Sequence, residues 1–373
     1  MKALGGSLVV SLLVILALVG CTQATPTPTS APSKQAEPAK PAEPTKAAAA
    51  APAAPTNAPA PTTLPAPTAA PAKKVDYPAK GKSINFVIGY DAGSATDLGG
   101  RIIAPQLEKN LATQIVVLNK PGAGGQVGMT ELSTSKPDGY TFGFTPIPSG
   151  ITMYLDPERK AVFTRKSFIP LTAQVIEPDM IAVATDSPYK SVKDVLDAAK
   201  ASPGKITMGF TGVMSHQHMA VLQLMKQTGT SFAIVSFDSS AQARTSLLGG
   251  HIEVQIADPG TFIAPYKAKQ IRIMGIFDKQ PSPFYPDVKT MESLGYPAYM
   301  GTARVLSFPA GVPQEIVDVV SAAIKKAMED PEYQQKMQEQ ALTSRWMSPA
   351  DTEKYWADLE ETVKPLMALA KQK

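Results

Sequence analysis

The chain holds one cysteine, three histidines and, before Tyr77, not a single aromatic residue. One thiol excludes a disulfide framework and any zinc or iron–sulfur centre built on several thiolates. Charge is also scarce. Only 18% of the 373 residues are Asp, Glu, Lys or Arg, and the formal net charge is +4. Most of that excess sits at the front: residues 1–76 carry six lysines against Glu37, Glu43 and Asp76, which leaves residues 77–373 with 30 basic and 29 acidic side chains. So neutral a body lacks the clustered basic face that nucleic acid requires, and no nucleic-acid partner is expected. The length suggests two domains at ~100–200 residues each.

Residues 3–20 are an uncharged, largely apolar run behind Lys2. Such a run could nearly span a bilayer or could serve as a secretory signal. Leu18-Val19-Gly20-Cys21 is the leucine-x-small-cysteine pattern of a bacterial lipobox, and Cys21 is the only cysteine. Residues 1–20 are therefore expected to be a lipoprotein signal peptide, with Cys21 acylated and tied to a lipid bilayer; the alternative is a spanning anchor with an incidental cysteine. The next stretch is Ala, Pro, Thr and Ser, with thirteen prolines between Thr22 and Ala72. It has too little apolar side chain to offset the entropy of ordering, so 21–76 is expected to be a disordered tether.

From Tyr77 onward, apolar β-branched runs alternate with helical periodicity. Strands are expected at Ile84–Gly89, Ile115–Leu118, Tyr140–Thr145, Met180–Thr185, Ile206–Gly209, Ala233–Phe237, Ile252–Ile256 and Ile271–Phe277. Ser191, with Asp194 three residues on, opens a helix whose apolar stripe is Val192, Val195, Leu196 and Ala199. Pro313 marks a helix first turn, and Pro349 to Lys373 reads as one amphipathic helix. The alternation implies an α/β fold with mostly parallel sheet.

Ligands of open α/β sheets bind where strands feed helix N-termini. Three loops fit that position: Tyr90–Asp97, Asn119–Gly128 and Thr211–His218. The small residues of the first suit an anion. The second has glycines at 122, 124, 125 and 128, one residue off the dinucleotide-binding spacing, and export makes a nicotinamide cofactor an unlikely passenger. In the third, Ser215 and His218 imitate a nucleophile and base, while His216 and His218 imitate metal ligands. Residues two apart point to different helix faces, which weakens a shared metal. The plainer expectation is that His218 hydrogen-bonds between the lobes, His216 is a loop polar group and His251 a turn residue. No cofactor and no metal are expected.

These loops match a family. Tyr77 to about Lys371 resembles the solute-binding proteins of tripartite tricarboxylate transporters, the TctC or Bug family. The correspondence runs in order through Asp76-Tyr77-Pro78, Gly93 to Arg101, Asn119-Lys120-Pro121-Gly122-Ala123-Gly124-Gly125 with Gly128, and Lys136 to Thr141. It continues through Ser215 to Ala220, Leu247 to Glu253, Pro286-Asp287-Val288 with Glu292 to Gly295, and Phe308 to Pro313.

The resemblance implies a two-lobed periplasmic-binding-protein (type II) fold with a ligand cleft between the lobes. Lobe one would be 77–176 plus 302–373, and lobe two 177–301. It implies a binding protein rather than an enzyme, a monomer on the extracytoplasmic face of a bacterial cell membrane. Such a protein takes a small organic carboxylate and delivers it, by lobe closure, to transporter membrane subunits. Carried over, the ligand contacts are Tyr90, Asp91, Gly93, Ser94, Ala95, Thr96 and Asp97 in the first loop, with Asp97 better suited to capping the helix. Thr145, Gly212, Ser215, His218 and Asp258 complete the set. Departures bear on specificity: Met214 stands where glycine is usual, and Asp91 and Asp238 add carboxylates to Asp258. Either they mark a ligand with a cationic group as well, such as an amino acid, or Asp91 and Asp238 point to solvent at the cleft rim. No arginine stands out in these loops, which favours backbone and water recognition. The competing readings are an exported hydrolase using Ser215 and His218, and a ligand sensor for a signalling partner.

Overall fold

The computed structural model describes residues 75–371. The signal reading of 1–20, the acylation of Cys21 and all but the last two residues of the 21–76 tether lie outside them.

The chain builds two five-stranded sheets. The first portion lays down β1 (Ile84–Ile88), α1 (Ala95–Leu111), β2 (Ile115–Asn119), α2 (Gln126–Ser133), β3 (Thr141–Ile147), α3 (Ser149–Leu155) and β4 (Phe168–Pro178). The second portion holds β5 (Met180–Ala184), α4 (Val192–Ala201), β6 (Thr207–Thr211), α5 (His216–Thr228), β7 (Ala233–Phe237), α6 (Ser240–Leu248), β8 (Val254–Ala257), α7 (Pro259–Lys267) and β9 (Ile271–Ile276). The chain then returns through β10 (Gly301–Pro309), α8 (Gln314–Met328), α9 (Pro331–Glu339) and α10 (Pro349–Ala370). Strand order is β2-β1-β3-β10-β4 in one sheet and β7-β6-β8-β5-β9 in the other. The chain therefore changes sheets at Asp179, between β4 and β5, and again between β9 and β10. The chain thus forms two lobes, one around each sheet. At the change of sheets, Asp179 N–H donates to Met300 O, and Phe277 N–H donates to Asp179 O. The two crossings are thus bonded to each other.

Periodicity locates the helices well. Ser191 and Asp194 form a reciprocal capping box on α4, and its buried residues are Val192, Val195, Leu196 and Ala199. Pro313 stands at the N-cap of α8, one position before the first turn. The mostly parallel sheet is corrected. β1 pairs in parallel with β2 and β3, and β6 with β7 and β8, whereas β10 runs antiparallel to β3 and β4, and β5 to β8 and β9. Each sheet is mixed because one strand beside a crossing, β10 in the first sheet and β5 in the second, runs against both its neighbours.

The first lobe's core centres on Phe86, Phe142, Phe144 and Phe308, all at most 2% exposed. Phe86 stacks on Phe142 at 4.5 Å between ring centroids. A second core runs from β3 and α3 through β4 into α4, α5 and the buried stripe of α10. Helix α10 therefore packs on α3 and β4 of the first portion and on α5 of the second. Among the described residues, no helix is long and apolar enough to cross a membrane.

Candidate functional site

Ser94 caps α1 by accepting from the Asp97 N–H at 3.2 Å. The helix is thereby started with the N–H groups of Ala95 and Thr96 at its head, where no intrahelical acceptor exists. Asp97 is buried and fully engaged. It accepts from Gly93 N–H at 2.8 Å, Arg101 Nε at 2.8 Å and Asn119 Nδ2 at 2.8 Å. Burial pushes its pKa up, but Arg101, the Gly93 N–H and Asn119 outweigh that and hold it below the usual carboxylate value. The cap is Ser94; Asp97 ties the loop to β2.

Tyr90 reaches across the same loop, its hydroxyl donating to Gly124 O at 3.1 Å. The glycines of the second loop are there for packing. A Cβ on Gly128 would lie 2.5 Å from Gly89 Cα, and one on Gly125 would meet the Tyr90 hydroxyl at 2.9 Å. They let α2 approach β1, so their near-dinucleotide spacing needs no phosphate to account for it.

Facing this loop are α5 and the end of β8. Ser215 caps α5, accepting from the His218 N–H at 3.2 Å and donating its hydroxyl proton to Thr211 O at 2.6 Å. His218 does not meet that hydroxyl. Its Nδ1 accepts from the Met214 N–H at 3.2 Å, and its ring stacks on Phe210 at 4.5 Å. Burial lowers its pKa to about 4, which keeps the imidazole neutral. It lines an open groove of about 690 Å³ with Leu222, Met225, Leu369 and Ala370, on the face of α5 opposite His216. The nucleophile–base pairing of Ser215 and His218 is absent from this geometry. Met214 adopts φ +64, the left-handed region, which explains why glycine suits that position.

His216, expected as a loop polar group, is the first residue of α5 and stands among charges. Its Nδ1 lies 2.9 Å from Asp179 Oδ1, and its Nε2 lies 3.5 Å from Asp258 Oδ1. Burial lowers its pKa, but Asp179, Asp258 and Glu177 outweigh burial and raise it to about 9. Ligating atoms of Asp179, His216 and Asp258 fall within 4.8 Å of one another. Protonated, the ring turns one N–H toward each carboxylate, and the three form an ion-paired relay in which the imidazolium itself supplies the positive charge.

The cluster continues into the first lobe. Arg304 on β10 donates from Nε to Thr96 Oγ1 at 3.2 Å and from Nη2 to Glu177 Oε2 at 2.5 Å. Burial raises the pKa of Glu177 against the pull of Arg304, and burial raises that of Asp258 against His216. Gln217 Nε2 donates to Asp258 Oδ2 at 3.1 Å, and its Oε1 accepts from Thr211 N–H at 2.8 Å. Polar contacts thus run from the first turn of α1, past the change of sheets at Asp179, to the loop after β6.

Of the expected contacts, Tyr90, Thr96 and Asp258 gather about Arg304, which acts electrostatically on both Tyr90 and Asp258. Gly93 and Ala95 are exposed in the first loop beside the half-buried Ser94, and Gly212 is half-buried after β6 with φ +73. Thr145 is wholly buried between β3 and β10, where its hydroxyl meets Val305 O at 3.2 Å and Ser307 Oγ at 2.6 Å. Asp91 and Asp238 are exposed, so the acids that matter are Glu177, Asp179 and Asp258. Sequence reasoning missed Arg304, Glu177 and Asp179; the three loops indeed hold no arginine, and Arg304 comes instead from β10. A charge in the middle of an apolar strand, as in Gly301-Thr302-Ala303-Arg304-Val305-Leu306, was the available signal.

Comparison with known proteins agrees with this architecture. Residues 100–370 match the model of the tripartite tricarboxylate transporter family receptor, TctC. A Cupriavidus necator protein described as the UPF0065 protein in the gbd 5' region is 30% identical over 77% of this chain and 86% of its own. The ligand-free crystal structure of a TctC solute-binding protein from Polaromonas is 28% identical, with a TM-score of 0.73 over 78% of this chain and 99% of its own. MatC from Rhodopseudomonas palustris with bound malate shares the fold, at 19% identity and a TM-score of 0.60 over 77% of this chain and 99% of its own.

Proposed function

The chain belongs to the tripartite tricarboxylate transporter receptor family, and we propose that it is a lipid-anchored solute-binding protein on the extracytoplasmic face of a bacterial cell membrane. It captures a small organic carboxylate between lobes 77–176 with 302–373 and 177–301, and hands it as a monomer to transporter membrane subunits. It does no chemistry on its ligand. Acylation of Cys21 holds it at the bilayer after removal of residues 1–20.

The observation that carries this reading is the head of α1. Orphan N–H groups at Ala95 and Thr96 carry the positive end of the helix dipole, and the Arg304 guanidinium is bonded to Thr96 beside them. Together they make a strongly attractive place for an anionic oxygen. The cleft lies at the crossings, so a ligand held by both lobes favours the closed state by its extra contacts there.

Isothermal calorimetry on the full chain, unfolded and refolded to strip retained ligand, tests the reading with mono-, di- and tricarboxylates and amino acids. Saturable binding of at least one carboxylate supports it. No binding by any of them would sink it. For the anchor, radiolabelled palmitate should enter the wild type and not Cys21→Ser, and the variant should leave the membrane fraction.

A further inference from the structure

On the far side of the crossings from the charged cluster lies a second cavity, of about 580 Å³. The alternation of β4 separates the two. Successive strand side chains point to opposite faces, so Glu177 joins Arg304 while Ile176 and Pro178 turn the other way and line this cavity. Its volume is in the ~300–1,000 Å³ range of small-molecule sites.

The walls come from three separate parts of the chain. The segment after α9 is laid along the edge strand β4: the Ile176 N–H donates to Thr343 O at 3.1 Å, and the Met347 N–H donates to Thr172 Oγ1 at 3.1 Å. That segment contributes Trp346 and Met347. Helix α10 contributes Tyr355, and the crossing between β9 and β10 contributes Phe277, Tyr299 and Met300. The Tyr299 hydroxyl donates to Glu292 Oε1 at 2.6 Å, which fixes its ring. Four aromatic rings and two thioethers in one cavity suit a flat aromatic ligand.

The polar groups select against charge. Arg345 Nη2 donates to Asp278 Oδ2 at 2.8 Å, and both side chains are at most 25% exposed. A carboxylate ligand would compete with Asp278 for Arg345, and an ammonium ligand would compete with Arg345 for Asp278. Either strands a charge away from water. At the rim Lys279 stands against Asp351, while Asp358 is taken up by Lys354, so neither sign is favoured there. The Tyr355 hydroxyl, in contrast, has no hydrogen-bond partner among the described residues. Burial raises its pKa to about 12, with Asp278 adding to the rise against Arg345, so the hydroxyl is neutral and can both donate and accept.

We infer that this cavity is a second ligand site, separate from the interlobe cleft, that takes an uncharged aromatic molecule of one or two rings bearing one hydrogen-bonding group. The rings pack among Phe277, Tyr299, Trp346 and Tyr355, and the polar group meets the Tyr355 hydroxyl. The occupant touches α10 on one side and the second crossing on the other.

Calorimetry on the full chain with naphthol, naphthoate, naphthylmethylamine and the saturated analogue decahydronaphthol tests this. Naphthol is expected to bind at least about fivefold more tightly than any of the other three. Tyr355→Phe, which keeps the ring and removes the hydroxyl, should weaken naphthol at least about threefold. Tyr299→Ser, which opens one wall at the surface, should weaken it about tenfold. A charged or saturated analogue that binds as tightly as naphthol overturns the inference. Naphthol affinity unchanged in either variant overturns it as well, because the molecule would then be bound elsewhere. No binding of naphthol also overturns it, and leaves the carboxylate-binding reading standing, since that reading rests on the head of α1.

Discussion

The two histidines of α5 are two residues apart, on opposite faces of the helix, and their pKa values move in opposite directions. His216 is raised to about 9, the carboxylates of Asp179, Asp258 and Glu177 outweighing burial, while burial lowers His218 to about 4. Both would titrate near ~6.5 in the unfolded chain. Below that pH His216 is protonated in both states and its stabilisation is complete. As pH rises from about 6.5 to about 9, the folded state holds a proton the unfolded state has lost, and stability falls. For His218 the unfolded state is the one that takes the proton, so stability falls as pH drops from about 6.5 to about 4. Each shift of roughly 2.5 units corresponds to about 3 kcal/mol at 1.36 kcal/mol per unit. That is a large part of a domain's usual ~5–15 kcal/mol.

Urea unfolding followed by tryptophan fluorescence at closely spaced pH values between 4 and 9.5 reads this directly, because Trp356 is fully buried in α10. The carboxylates titrate too, so the informative quantity is the difference between wild type and variant. His216→Asn keeps a donor for Asp179 but no proton to lose, and should abolish most of the alkaline decline. His218→Asn keeps an acceptor for the Met214 N–H and should abolish most of the acid decline. An alkaline decline of full size in His216→Asn would refute the reasoning, because the ion-paired relay would then not be what holds α5 to the change of sheets.

Other substitutions read other parts of the argument. Gly128→Ala drives a methyl to 2.5 Å from Gly89 Cα, backbone against backbone, and should cost at least about 2 kcal/mol in denaturant unfolding. Gly260→Ala, at a site open to solvent, should cost nothing comparable. Asp97→Ala strands the Gly93 and Asn119 donors and should cost about 2–4 kcal/mol while weakening carboxylate binding by disordering the first loop. Ser215→Ala removes the α5 cap and the hydroxyl's hydrogen bond to Thr211 O, about 1–2 kcal/mol of stability, and should leave the affinity for any bound carboxylate within about twofold; loss of a catalytic turnover in that variant would revive the hydrolase.

Eight strands and the helix starts were legible because their signals are local. Ser191 with Asp194, or Ile84 to Ile88 as an unbroken apolar run, needs no knowledge of the rest of the chain. The strands β4 and β10 were invisible for a physical reason. Thr172, Gln174 and Glu177 interrupt the apolar pattern of one, and Arg304 and Ser307 that of the other, yet all five are at most 7% exposed. Their polar groups are matched by partners far along the chain: Gln174 Nε2 donates to Gly99 O, the Met347 N–H donates to Thr172 Oγ1, and Arg304 bonds to Thr96. A pattern reader scores such residues as surface. The same long-range pairing misassigned the histidines, because only the fold shows that Asp179 comes to His216 rather than to His218.

If the lobes close as proposed, the concentration of polar residues on the connecting strands has a use. A group in the middle of either lobe could feel a ligand but could not tell the other lobe about it. Arg304 and Glu177 lie on the strands that carry the chain between lobes, and Asp179 is the residue at which it changes sheets. His216 and Asp258 then bring the helix and loop of the second lobe to that point. A carboxylate accepted by Arg304 would compete with Glu177 for the same guanidinium, and Glu177 and Asp258 already feel each other's charge. Ligand binding in one lobe would therefore alter the electrostatic balance holding α5 of the other. Helix α10 opposes free swinging, since it packs on β4 and on α5 alike. On the proposed function, closure would have to slide α5 over the end of α10 or carry that end with it, so weakening this contact should loosen the lobes without touching the cleft. Leu369→Ser, in the groove shared with His218, is the direct trial. It should widen the distribution of interlobe distances measured by spin labels and leave carboxylate affinity intact; an unchanged distribution would mean that the two crossings alone set the motion.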